Sequence, residues 1–228
     1  MNKNTPLSAK EYCYRELKES LLSARFLPGE QVTVKSLAER LGLGVMPVRE
    51  AVQRLVSEGG LTLLPSRLIR VTMLSRCDYK DVAQIRQLLE PLAIEKACQN
   101  ATEDDKANIK EAWHLLAQAI ELQDSDNILQ ANQVFHFTLY QAAHSQHLLQ
   151  LINLQWLKTG PMLAEPLVRN NHQRGKERDL HFGKGTYENH KVLCDAVLAG
   201  DKNIAVKAIT VILRKASEWF LNYYPFED

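Results

Sequence analysis

The sequence predicts a mainly α-helical protein of two domains: a small amino-terminal one that closes on a β-hairpin, and a larger all-helical one. Three observations predict it. Apolar residues recur at helical spacing through most of the 228 residues. Pro65-Ser66-Arg67 separates two short runs rich in β-branched and apolar residues. Basic charge gathers at the amino-terminal end, where residues 1–74 hold 11 Lys+Arg against 7 Asp+Glu while the remainder holds 17 against 20. Such an asymmetry is expected when one part of a chain meets phosphate and the other does not.

The first helix spans residues 8–25, with Ser8 as its cap and Tyr12, Leu17, Leu21 and Leu22 as its apolar stripe. Pro28-Gly29 breaks it. Thr33 opens a second helix through Leu41, with Val34, Leu37, Ala38 and Leu41 on one face, and Gly42 ends it. A third runs from Gly44 to Ser57, with Pro47 in the first turn, where a missing N–H costs little. Leu61–Leu64 and Ile69–Met73 then form the hairpin. Three short helices followed by a hairpin in about 70 residues is the order of a winged helix-turn-helix, the hairpin being the wing.

From Asp78 onward the pattern predicts six helices, at 78–99, 103–123, 126–144, 147–158, 186–199 and 202–223, and no strand. Pro91 should kink the first, and short loops make the set an antiparallel bundle. The domains are therefore 1–75 and 76–228. The stretch 165–185 is polar, basic and rich in breakers, either a solvated loop or a lid.

Composition excludes several classes. The cysteines, Cys13, Cys77, Cys98 and Cys194, form no C-x-x-C pair, against a zinc ribbon or disulfide framework and in keeping with a reduced cytoplasm. The start MNKNTPLSAKEY has no apolar core of a signal peptide, and no apolar run approaches the ~20 residues of a membrane span. We expect a soluble, cytoplasmic protein with no membrane partner.

The run Pro47-Val48-Arg49-Glu50-Ala51, then Arg54-Leu55, Glu58-Gly59-Gly60 and Val71, resembles the winged-helix half of GntR-family transcription regulators. Arg86 with Glu90 in IRQLLE, NQVFH at 132–136 and NHKVLCDAVLAGD at 189–201 resemble that family's FadR-type effector (FCD) domain, in its six-helix VanR-like form. The resemblance covers nearly the whole chain. It implies a regulator, by family default a repressor, which binds a double-stranded DNA operator under the control of a small organic acid.

By that resemblance Arg49 reads guanine from the major groove and Lys35 is a further DNA contact. Arg54 either meets phosphate or pairs with Glu50 or Glu58. The family has Ser-Arg-x before its Pro-Val-Arg-Glu, whereas this chain has Gly44-Val45-Met46; its wing carries Arg-Gly where this chain has Arg67-Leu68. Val45 and Met46 donate no hydrogen bond but suit a thymine methyl, so altered operator specificity is expected. A homodimer follows from two-fold operators.

The family's effector domain often holds a divalent metal, zinc or nickel, through a carboxylate and three histidines. Those positions map here to Asn132, His136, His190 and Ile212, so an amide and a hydrocarbon replace two ligands. His136 and His190 are read either as metal ligands or as pocket groups that hydrogen-bond the effector, with His172 or His181 as candidate loop donors. Arg86, within an apolar helix pattern, pairs with Glu90 or with an effector carboxylate. An enzyme at the histidine site finds no support, since no H-E-x-x-H, G-x-S-x-G or phosphate-binding glycine loop is present. A helical interaction protein whose winged helix docks protein is the remaining alternative.

Overall fold

The computed structural model describes residues 8–164 and 184–226. Its helices are α1 (Ala9–Leu22), α2 (Val34–Leu41), α3 (Val45–Ser57), α4 (Arg76–Asn100), α5 (Glu103–Glu121), α6 (Ser125–Gln141), α7 (Gln146–Thr159), α8 (Lys184–Ala199) and α9 (Lys202–Tyr223). Strands β1 (Gln31–Val32), β2 (Leu61–Leu63) and β3 (Ile69–Val71) form one antiparallel sheet in the order β1-β3-β2. The mainly helical class and the small wing match the expectation, and among the described residues six α-helices follow residue 75. The segment 165–183, with His172 and His181, lies outside the described residues.

Contacts divide the chain into two compact units, Met1–Met73 with Trp156–Ala164, and Leu74–Gln155 with Glu165–Asp228. The first is thus built from two stretches far apart in the chain. Within it, Ser8 caps α1 through the Glu11 N–H, and Thr33 caps α2 in a reciprocal box with Ser36. Gly42, at φ +65°, closes α2 in the left-handed region, where a side chain would strain the backbone.

α1 buries Cys13, Tyr14, Leu17, Leu21 and Leu22 against α3, which contributes Val48, Ala51, Val52 and Leu55. Tyr12, expected on this face, is exposed instead; it projects half a turn round the helix from Leu21. The sheet has a strand more than the hairpin, because Gln31 and Val32 pair with Arg70 and Ile69. The segment after α7 packs on α1 so closely that a Cβ at Gly160 would lie 2.8 Å from the Trp156 carbonyl oxygen and 3.0 Å from that of Leu21. Only glycine permits that approach.

In the second unit α4 packs on α9, α6 and α8, α5 on α6 and α8, and α8 on α9. Ala93, Ile94, Ala97, Ile109, Phe135, Leu139, Leu193 and Ile209 are fully buried in this core. Ser75 caps α4, which runs through Pro91 as one element, and Thr102 caps α5. Arg76 Nη1 donates to the Leu221 carbonyl at 2.6 Å, tying the start of α4 to α9.

Candidate functional site

Two groups of side chains carry chemistry, one in each unit. In the first, Gly44 is the N-cap of α3 and offers no side chain to the exposed N–H groups of the first turn. Val45 is 43% and Met46 64% exposed, so both apolar side chains project where burial would be expected. Arg49 stands one turn after Val45 and Met46 on the same face, exposed, and pairs with no described residue.

Arg54 is differently placed. Its Nε lies 3.2 Å from Glu58 Oε1 and its Nη1 3.3 Å from Glu11 Oε2, and its guanidinium stacks over the Tyr14 ring. The structure brings it to the protein's own carboxylates. Lys35 is exposed at the start of α2, 3.8 Å from Glu39. Arg67 heads the wing at φ +62°, where its N–H donates to the Leu64 carbonyl at 2.9 Å. Leu64 N–H in turn reaches the Leu68 carbonyl, so Arg67 takes the left-handed position that a hairpin of this length usually gives to glycine.

In the second unit a chain of hydrogen bonds links α4, α6 and α8. Arg86 Nε donates to Glu90 Oε1 at 2.6 Å, both on α4. Tyr140, on α6, donates its hydroxyl to the other Glu90 oxygen. His136 Nδ1 lies 3.1 Å from the Tyr140 oxygen, and His136 Nε2 lies 3.1 Å from His190 Nε2 on α8. Glu90, His136 and His190 are almost wholly buried, and Asn132 is 8% exposed one turn before His136.

Directions follow from chemistry. A carboxylate only accepts, so the Tyr140 hydrogen points to Glu90 and the Tyr140 oxygen accepts from His136 Nδ1–H. Burial first, and then His190 and Arg86, hold the His136 imidazole well below its ordinary value of 6.5. A neutral ring protonated at Nδ1 has a bare Nε2, which accepts from His190 Nε2–H. Burial alone would weaken the Arg86 charge; Glu90 outweighs it and leaves the guanidinium above its ordinary value.

Among the described residues the donor set does not fit a resident zinc or nickel: such sites take three or four strong donors, and the two imidazoles are joined by no carboxylate, since the positions the resemblance maps at 132 and 212 are an amide and a hydrocarbon. Among the described residues no three His, Cys, Asp or Glu side chains gather as a metal site.

Sequence reasoning missed Tyr140 and gave Glu90 only the role of partner to Arg86. The four-residue step from His136 to Tyr140 on one helix face is the signal that could have found the first.

Comparison with known proteins joins the two units. The family described as "Bacterial regulatory proteins, gntR family" matches residues 9–71, and the FCD domain matches residues 81–215. The chain is 31% identical over 187 residues to the HTH-type transcriptional regulator McbR of Escherichia coli (strain K12), covering 82% of this chain and 81% of that protein. It is 28% identical over 202 residues to the HTH-type transcriptional repressor GlaR of the same strain, covering 82% and 84%. The solved structure of E. coli McbR/YncC superposes with a TM-score of 0.82 at 27% identity, over 96% of this chain and all of that one. A GntR regulator from Rhodococcus sp. RHA1, at 18% identity and a TM-score of 0.73, shares the fold. Among the described residues no helix is long and apolar enough to cross a membrane. With both of its parts matched in order, and relatives named throughout as transcriptional regulators and not enzymes, the chain belongs to the GntR family of bacterial transcription regulators and carries that family's FCD domain.

Proposed function

We propose that this regulator is a homodimeric cytoplasmic repressor that reads its operator with α3, and that a small polar molecule held in the α4–α6–α8 bundle controls its affinity. Arg49 carries the DNA half of the reading. Of the two arginines on α3, Arg54 is held by Glu58, Glu11 and Tyr14, whereas Arg49 is exposed beside the uncapped first turn with no described partner. A long cation in that place fits the major-groove edge of guanine, worth about 1–3 kcal/mol of discrimination when bidentate. Lys35 and Arg67 would then lie against phosphate, which fixes register but carries no sequence.

Val45 and Met46 fit the same surface as apolar readers. They reach thymine methyl groups and cannot donate to guanine or phosphate, so the operator would carry A·T pairs opposite the first turn of α3. Repression follows the relatives: GlaR and RspR of E. coli are both named repressors.

A mobility-shift titration with the protein's own upstream region, repeated at rising salt, tests the reading. Specific operator binding should weaken steeply as salt rises, with a slope set by the phosphates neutralised. The exposed Val45, Met46 and Leu63 also suit protein docking. Binding to DNA that is absent at every salt concentration would favour that alternative.

A further inference from the structure

The winged-helix unit is not built from the amino-terminal residues alone, since Trp156–Ala164 pack within it. We infer that residues 156–164 are a strap that holds the rear end of α3, and that the helical domain controls the DNA reader by seating or withdrawing this strap through α7. The inference rests on the reading of α3 as the DNA-binding helix.

The strap is deeply seated. Among residues 156–164 only Lys158 keeps partial exposure, and Trp156, Leu157, Thr159 and Met162 are almost wholly buried. Withdrawing them would return apolar surface to water, so the seated and withdrawn arrangements are distinct states and not a continuum.

Its fit is close on both sides. A Cβ at Gly160 would lie 3.0 Å from the Leu21 carbonyl oxygen and 3.1 Å from that of Leu22, on α1. A Cβ at Gly60 would lie 3.4 Å from Leu157, and one at Gly59 would lie 3.0 Å from Lys158 Cε. Three glycines, one on the strap and two opposite it, give the backbone room for this approach.

What the strap rests on gives it a function. The N–H groups of Gly59 and Gly60 donate to the Val56 and Leu55 carbonyls at 3.1 and 3.0 Å, which closes α3. The Gly60 carbonyl accepts from Thr72 N–H at 3.2 Å, at the foot of the wing. The strap therefore bears on the junction of α3 with β2. α3 is 13 residues long, so this junction stands roughly 18 Å from its first turn, at about 1.5 Å per residue. The helix is held by one end and its first turn is left to the groove.

α7 supplies the connection. It runs unbroken from Gln146 to Thr159, and the division between the two units falls within it, between Gln155 and Trp156. A packed helix shifts as one body, so a displacement of its first turns reaches the strap. Operator DNA prefers the seated state, in which α3 is fixed. Bound operator must in return favour seating, because a coupling between two sites is reciprocal.

Hydrogen exchange of the full chain tests this, read by mass spectrometry with and without a saturating duplex from the protein's own upstream region. In the parent the duplex should slow exchange at 45–57 and also along α7 at 146–155, beyond the winged-helix unit. Leu157→Ala and Gly160→Ala should each keep the slowing at 45–57 and lose it at 146–155. Both should weaken duplex binding about tenfold, an ordinary size for such a coupling. Gly160→Ala removes no packing atom, so it decides the matter if Leu157→Ala fails to fold. Slowing confined to 45–57 in the parent overturns the inference and leaves α3 as the DNA reader, as does slowing at 146–155 that survives the substitutions. No slowing at 45–57 in the parent overturns that reading and the inference with it.

Discussion

The Arg54 guanidinium stacks on the Tyr14 ring, 3.5 Å from its centroid, and the two side chains converge on Glu58. The Tyr14 hydroxyl donates to both Glu58 oxygens, at 2.9 and 2.8 Å, and Arg54 Nε meets Oε1. An arginine on the face that reads as DNA-binding in the sequence is thereby a clamp between α1 and α3. Arg54→Ala should lower stability by about 1–2 kcal/mol through the lost stacking and half-exposed ion pairs. Its specific affinity for the operator should change little. Arg49→Ala should do the reverse, leaving the urea midpoint unchanged and weakening the specific complex by about 1–3 kcal/mol.

Val45 and Met46 predict which atoms of the operator matter. Replacing contacted thymines with deoxyuridine removes only the methyl group, worth about 0.8 kcal/mol if buried. The parent protein should lose that affinity, while a Val45→Ala, Met46→Ala double variant should no longer distinguish the two duplexes. Equal binding of both duplexes by the parent would sink the thymine-methyl reading.

Arg67 sits at φ +62° in the wing, a conformation that disfavours every residue with a Cβ except, mildly, asparagine and aspartate. Arg67→Gly should relieve that strain and stabilise the fold by about 0.5–1 kcal/mol. If the arginine meets phosphate, the same change should reduce the salt dependence of DNA binding by about one phosphate contact. Opposite signs for stability and binding are the outcome to seek, by denaturant unfolding and by fluorescence anisotropy.

Glu90 anchors the buried chain from Arg86 to His190. Glu90→Ala removes both the ion pair with Arg86 and the acceptor of Tyr140 and should destabilise the fold more than Tyr140→Phe, which removes one hydrogen bond to a charged acceptor and should cost about 1.5–3 kcal/mol. Urea unfolding of the three proteins orders these values.

His136 gives the fold a pH dependence with a fixed sign. Burial, His190 and Arg86 hold its folded pKa well below 6.5, so below about pH 6.5 the unfolded chain binds a proton that the folded chain refuses. Its contribution to stability is complete above that pH and declines as pH falls toward the folded value. Melting temperatures measured from pH 8 to pH 5 should fall for the parent and fall less steeply for His136→Gln. Parallel curves would count against a buried neutral His136.

Much of the fold was legible because its signals are local. Ser8, Thr33, Gly42 and Pro47 act on residues one to four positions away, and each marks the helix boundary that the structure has. Six helical periods after residue 75 gave the bundle for the same reason. β1 was not legible, since a two-residue strand has no period and its pairing with β3 joins residues almost forty positions apart.

The site divides along the same line. Sequence alone singled out the run around Arg49, the apolar Val45 and Met46 before it, and the histidines at 136 and 190, because residue type and spacing along single helices carry that information. Tertiary structure decided which arginine of α3 remains free, by bringing Glu11 and Tyr14 of α1 onto Arg54. It also decided that Glu90, Tyr140, His136 and His190 form one directed hydrogen-bond chain across three helices. Donor and acceptor roles depend on which partners meet in the buried core, and packing alone brings residues from different helices within 3.1 Å.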